Sequence, residues 1–148
     1  MTRKYLAFDI ETYKVIPELV GELLAHRPLG ISCVGALCAG ESNPRLFYSK
    51  DLNGHPSGQM QKKDVAEFID FLLDRTRDGY TLLSFNGLGF DLDVIAEESG
   101  RLDDCRQLAL SHVDIMFHVF CAKGFPVGLD AALPGQLAAA NHRAWTEH

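Results

Sequence analysis

The chain has 148 residues, 47% of them apolar and 23% charged, and a formal net charge of −6. This composition supports a real core and gives no sign of disorder, and the length suits one domain rather than two. The negative charge argues against a broad basic surface that holds nucleic acid by counterion release alone, although clustered acids can meet phosphates through divalent metals.

No apolar run approaches the roughly 18 residues needed to span a bilayer. The opening "MTRKY" runs straight into strand-like sequence without an apolar leader, so a cytoplasmic protein is expected. The four cysteines, Cys33, Cys38, Cys105 and Cys121, form no C-x-x-C pair. They are expected as small buried apolar residues in a reducing compartment, with neither a zinc site nor a disulfide framework.

In chain order, residues 5–10 read as a buried strand. Residues 18–25 contain a short helical piece between Pro17 and Pro28, and residues 30–40 and 43–49 form two strands of a hairpin. A polar loop with Gly54, Pro56 and Gly58 covers 50–60. Residues 61–79 are the clearest helix, with Val65, Phe68, Ile69 and Leu72 at three- and four-residue spacing and Gly79 as its C-cap. A short apolar strand at 80–85, a helix at 89–100 closed by Gly100, and a further helical region at 102–121 follow. The tail is interrupted by Pro126 and Pro134. Strands first and helices later suggest a mixed α/β sheet with flanking helices, whose chemistry would sit at strand ends.

Two stretches carry the chemistry. In "KYLAFDIETYK", Asp9 and Glu11 are two apart on a strand, so they share a face. Two such carboxylates repel unless cations or solvent relieve them, and hard oxygen donors suit Mg²⁺ or Mn²⁺. In "YTLLSFNGLGFDLDVI", a strand passes through Asn86-Gly87-Leu88-Gly89 into a helix that begins at Phe90-Asp91. The glycines allow a tight loop and close approach of a ligand. Asp91 is either a helix-start cap or a third acid of a site, and Asp93 is expected at the surface.

"FDIET" followed by "FNGLGFD" resembles the first two motifs of the DEDD-type 3′–5′ exonucleases, in the form found in the exonuclease domains of family B DNA polymerases and their stand-alone relatives. "SHVDIMFHV" at 111–119 and "GLDAAL" at 128–133 also look like segments of those relatives, so the resemblance spans about residues 4–133. It implies a ribonuclease H-like fold and a single exonuclease-like domain over 1–148. It implies two divalent ions, Mg²⁺ or Mn²⁺, that stabilise the attacking and leaving oxygens of a phosphoryl displacement at a DNA or RNA 3′ end. By the same resemblance Asp9 would ligate both ions, Glu11 the ion that positions water, and Asp91 the other. Asn86, Phe90 and Thr12 would face the terminal nucleotide or position the strand end. Phe90 could equally be core, and the Thr12 hydroxyl could simply form a turn.

The family's third motif supplies a fourth carboxylate and a Tyr or His. No Tyr follows Tyr80, and the tail offers only His142 and Glu147, an H-x-x-x-x-E arrangement. The chain is therefore expected to be shortened relative to the family, with an incomplete C-terminal helix. An inactive nucleic-acid-binding remnant of the same fold is the alternative function. A haloacid-dehalogenase-like phosphatase is disfavoured, because "DIET" places Glu where that chemistry needs a second Asp. Asp114 is read as a structural capping acid in preference to a groove-lining one. His112 and His118, six apart, do not form a metal pair.

Overall fold

The computed structural model describes residues 3–16 and 23–132. Its elements are β1 (Lys4–Thr12), a 3₁₀ turn (Leu23–His26), β2 (Ile31–Cys38), β3 (Arg45–Phe47), α1 (Lys62–Arg77), β4 (Tyr80–Ser84), α2 (Asp91–Ser99), α3 (Leu102–Leu110), β5 (His112–Asp114), α4 (Ile115–Lys123) and α5 (Leu129–Ala132). The five strands form one sheet in the order β3-β2-β1-β4-β5. β1 pairs antiparallel with β2 and parallel with β4. β2 and β3 form the expected hairpin ladder, and β4 and β5 run parallel. The sheet therefore changes character at β1, its central strand.

Alternation along β1 divides the sheet. Leu6, Phe8 and Ile10 are buried, whereas Ala7, Asp9 and Glu11 are exposed. The buried side meets Val65, Phe68, Ile69 and Leu72 of α1 and Val94 and Ile95 of α2 in one apolar cluster. Phe68 lies at its centre, edge-on to Phe8 at 5.8 Å and to Phe47 at 5.0 Å. Each fully buried side chain of this size contributes about 1.5–3 kcal/mol.

The cap of α1 comes from a distant segment. Its N-cap residue, Gln61, has no side-chain capping bond. Instead the buried Ser49 hydroxyl accepts from the Gln61 amide at 2.6 Å and donates to the Asp64 carboxylate. At the other end Gly79 adopts φ +84° directly after the last cap residue, Asp78. That left-handed conformation lets the chain turn into β4, as expected of a glycine there.

Several expectations are corrected. The region 102–121 is not continuous helix: α3 ends at Leu110, β5 intervenes, and α4 begins at Ile115. The third strand shrinks to three residues. Of the cysteines, Cys38 and Cys105 are buried, Cys33 is half-buried and Cys121 is exposed. All four are free thiols. Burial and the neighbouring Asp104 push Cys105 up to about 11, so its thiol stays protonated. Most of the helical piece expected at 18–25 lies outside the described residues, as do His142, Glu147 and the tail they belong to. Among the described residues no helix is long and apolar enough to cross a membrane.

Candidate active site

The carboxyl-terminal ends of β1 and β4 bring the two acidic stretches together. Asp9 and Glu11 leave the exposed side of β1, opposite Gly35 and Cys33 of β2. The ladder shifts register between Glu11 and Thr12 and continues beyond it, with Thr12 facing Ile31 and the Tyr13 and Lys14 amides donating to the Gly30 and Leu29 carbonyls. Thr12 is half-buried, and its carbonyl accepts from the Ser32 hydroxyl at 3.0 Å. This bond ties the backbone of the β1 end to β2.

β4 ends at Ser84, and the chain crosses to α2 through Phe85-Asn86-Gly87-Leu88-Gly89-Phe90. This turn is tightly determined. Asn86 adopts φ +67°, a conformation that Asn tolerates better than most residues. A methyl group on Gly87 would lie 1.8 Å from the Ser84 hydroxyl oxygen, and one on Gly89 would lie 2.7 Å from the Asn86 side-chain oxygen. Close packing thus requires glycine at 87, where the Ser84 Cβ lies only 2.8 Å away as well, whereas at 89 the Asn86 side chain would have to shift. The Ser84 hydroxyl is hydrogen-bonded to His112 Nε2 at 2.8 Å, which props the turn from below. Burial holds the His112 imidazole below its ordinary value, and it rests against Phe8 at 5.9 Å.

Asp91 is the first residue of α2 and is 3% exposed. Its Oδ1 accepts from the Ile10 amide of β1 at 3.3 Å. The carboxylate is therefore turned across to β1, beside Asp9, while it also takes its own amide at the start of α2; the N-cap position itself is Phe90, which makes no side-chain capping bond. Burial raises Asp91 to about 6, with the Asp9 charge adding to the rise and the Ile10 amide opposing it. Asp9 is also raised, because its carboxyl, though the residue lies on the exposed side of β1, is partly desolvated by its neighbours. No raised value would be needed if a positive charge sat between them. Two hard carboxylates held near each other, with no cationic partner among the described residues, are donors of the kind that hard divalent cations take.

The fit is partial. Glu11 shares the exposed side of β1 with Asp9 but projects into solvent. Among the described residues no group of three or more His, Cys, Asp or Glu is arranged to hold a metal ion. Completing the set from this chain would require the Glu11 side chain to swing toward Asp9, which its exposure permits. Asp93 is exposed and meets Arg27 at 3.4 Å, as expected of a surface acid. Asn86 lines an apolar groove of about 280 Å³ with Leu88, Gly89, Met116, Phe117 and Phe120, while Phe90 packs partly against the core.

Two residues escaped the sequence. Cys33 stands directly across from Glu11, whose charge adds to burial in raising its thiol. His112 reaches Ser84 only through the parallel β4–β5 register, in which Leu82 faces His112 and Ser84 faces Asp114. No local pattern announces either contact.

No protein-family model matches the chain, and no curated protein matches it. Solved structures do. Escherichia coli exonuclease I in complex with a dT13 oligonucleotide superposes with a TM-score of 0.53 at 16% identity, over 81% of this chain and 29% of that one. The zinc-ion-bound form of the E. coli exonuclease I–ssDNA complex gives 0.50 at 16% identity, over 82% and 30%. The family B DNA polymerase of Pyrobaculum calidifontis gives a looser 0.45 at 20% identity, over 70% and 12%. The chain thus spans less than a third of the exonuclease I chain and about an eighth of the polymerase. At such identities the likeness shows the fold: this chain has the ribonuclease H-like mixed α/β fold that exonuclease I also has.

Proposed function

We propose that the chain is one metal-dependent 3′–5′ exonuclease-like domain that hydrolyses phosphodiester bonds at nucleic-acid 3′ ends. The observation that carries this reading is the hydrogen bond from the Ile10 amide to Asp91. It seats the acid of the second motif beside Asp9 of the first, across 81 residues of chain. The solved exonuclease I structures with oligonucleotide and with zinc ion support it by shared fold.

In this reading Asp9, Glu11 and Asp91 hold two divalent ions, Mg²⁺ or Mn²⁺. When bound, such ions supply a lowered water pKa and charge stabilisation at the attacking and leaving oxygens of an in-line displacement. The chain's own residues do the rest. Asp9 and Asp91 present carboxylates whose raised values mark a site short of positive charge. The Ile10 amide fixes one Asp91 oxygen and leaves Oδ2 outside that bond. Glu11, exposed near the end of β1, closes over the substrate side. Asn86 orients the terminal nucleotide at the mouth of the apolar groove, Phe90 flanks it, and Thr12 sets the backbone from which Glu11 projects. His142 and Glu147 would supply the proton acceptor and fourth carboxylate. The protein would work in the cytoplasm on DNA or RNA.

The test is release of mononucleotides from a 3′-labelled or 5′-labelled single strand of DNA and of RNA, with Mg²⁺ or Mn²⁺. Asp9→Ala should abolish it while the protein still folds. Intact substrate under both metals would refute the catalytic reading. A second reading, a nucleic-acid-binding remnant without catalysis, is favoured by the lack of a three-acid arrangement among the described residues. It predicts strand binding, measured by fluorescence anisotropy, with no cleavage.

A further inference from the structure

Asp114 is 5% exposed and sits at the junction of β5 and α4. Its carboxylate accepts three backbone amides. Oδ1 takes the Asn86 amide at 3.0 Å and the Phe117 amide at 3.3 Å, and Oδ2 takes the Leu88 amide at 3.1 Å. The Phe117 bond is an ordinary N-cap of α4. The other two are not needed for capping. They grip alternate residues of the Asn86–Gly89 turn, the segment that must hold Asn86 at φ +67°.

From that turn the constraint passes on through further hydrogen bonds. The Gly87 carbonyl accepts the Leu92 amide of α2 at 2.9 Å, and the Asn86 carbonyl accepts the Gly89 amide at 3.1 Å. α2 therefore starts where the turn places it. Asp91, between Phe90 and Leu92, is thereby aimed at Ile10 of β1. Hydrogen bonds and short stretches of backbone thus connect Asp114 to Asp91 through the turn and the start of α2, and no other described side chain bonds the turn's amides.

We propose that Asp114 is a positioning residue. By holding the Asn86 and Leu88 amides it sets where Asp91 stands relative to Asp9. The inference rests on the reading of Asp91 as an acid of the site. Outer partners of this kind commonly change metal affinity or activity by about 10–100-fold when removed.

Serine separates the two tasks of Asp114, because it caps helices well but is too short to span both turn amides. The experiment compares wild type, Asp114→Ser, Asp114→Ala and, as a control of stability alone, Ser49→Ala, whose lesion lies at the start of α1. Two readouts are taken by NMR on the full chain. One is hydrogen exchange at the Ile10 amide without metal. The other is paramagnetic line broadening around Asp9 and Asp91 during titration with Mn²⁺ alone. Asp114→Ser should speed Ile10 exchange roughly tenfold, the loss of one hydrogen bond. It should also raise the half-saturating Mn²⁺ concentration about 10–100-fold, and Ser49→Ala should do neither. Ile10 exchange that is unchanged in both Asp114 variants, or equally changed in Ser49→Ala, overturns the proposal. If wild type itself shows no saturable Mn²⁺ broadening, the metal reading of the site fails, and Ile10 exchange alone decides the positioning role.

Discussion

Replacing Asp91 by asparagine should stabilise the metal-free protein, and the size of the effect follows from its surroundings. The native fold holds Asp91 at about 6 against an ordinary 3.8. Because the folded value is the higher one, the contribution of this group is full below about pH 3.8 and is lost as pH rises through about 6. At about 1.36 kcal/mol for each pH unit, that gap comes to about 3 kcal/mol of destabilisation at neutral pH. Asparagine keeps an oxygen for the Ile10 amide and carries no charge to bury beside Asp9. Asp91→Asn should therefore be about 2–3 kcal/mol more stable than wild type at pH 7.5 in chelator, which for this length raises the melting temperature by about 5–10 °C. The advantage should shrink toward zero as pH falls to 4. Saturating Mg²⁺ or Mn²⁺ should reverse the order. At a hundred times its dissociation constant, a ligand that binds only the folded state adds about 2.7 kcal/mol to wild type, and the variant loses most of that gain. Urea denaturation followed by circular dichroism at several pH values, with chelator and with metal, measures all of this. A variant that is less stable than wild type at pH 7.5, or an advantage that does not change between pH 4.5 and 7.5, would refute the placement of an uncompensated carboxylate against β1.

Three other changes probe the frame around the site. Gly87→Ala drives a methyl group into the Ser84 hydroxyl, and overpacking of this kind should cost about 1–3 kcal/mol by chemical denaturation; a wild-type midpoint would show that the turn is looser than described. Ser49→Ala removes the remote cap of α1 and should cost about 0.5–2 kcal/mol, with loss of amide protection at Gln61. Phe68→Ala empties the centre of the ring cluster and should cost about 3–5 kcal/mol in the same denaturation series, close to the whole margin of a small domain.

The parts of the fold legible in the sequence are those whose signals are local. α1 shows its apolar stripe and closing glycine, the β2–β3 hairpin its apolar runs between turn residues, and α2 the Gly100 that ends it with φ +71°. The parts that were not legible depend on distant neighbours. β5 has only three residues, and its Val113 falls in helical register with Met116 and Phe117. Only pairing with β4 pulls it out of the helix. α4 is apolar on all sides, yet none of its described residues is buried, and Phe117 is 58% exposed. For Asp91 the sequence left a cap and a site acid open, because the choice depends on Ile10, far away in the chain. Ser49 gives no sign in the sequence that it caps a helix beginning more than ten residues later.

The tapering of the sheet has a consequence for solubility. Its long strands, β1 with nine residues and β2 with eight, lie inside, whereas β3 and β5 at the two edges have three residues each. Exposed edges are where foreign strands attach and aggregates begin to grow, because unpaired amides and carbonyls there are ready templates. This sheet offers only a few such groups at either border, and Arg45 adds a charge at one of them. A foreign strand adding at either margin thus meets only a short template, which matters because small and apolar residues such as Ala7 and Leu37 are exposed on this sheet.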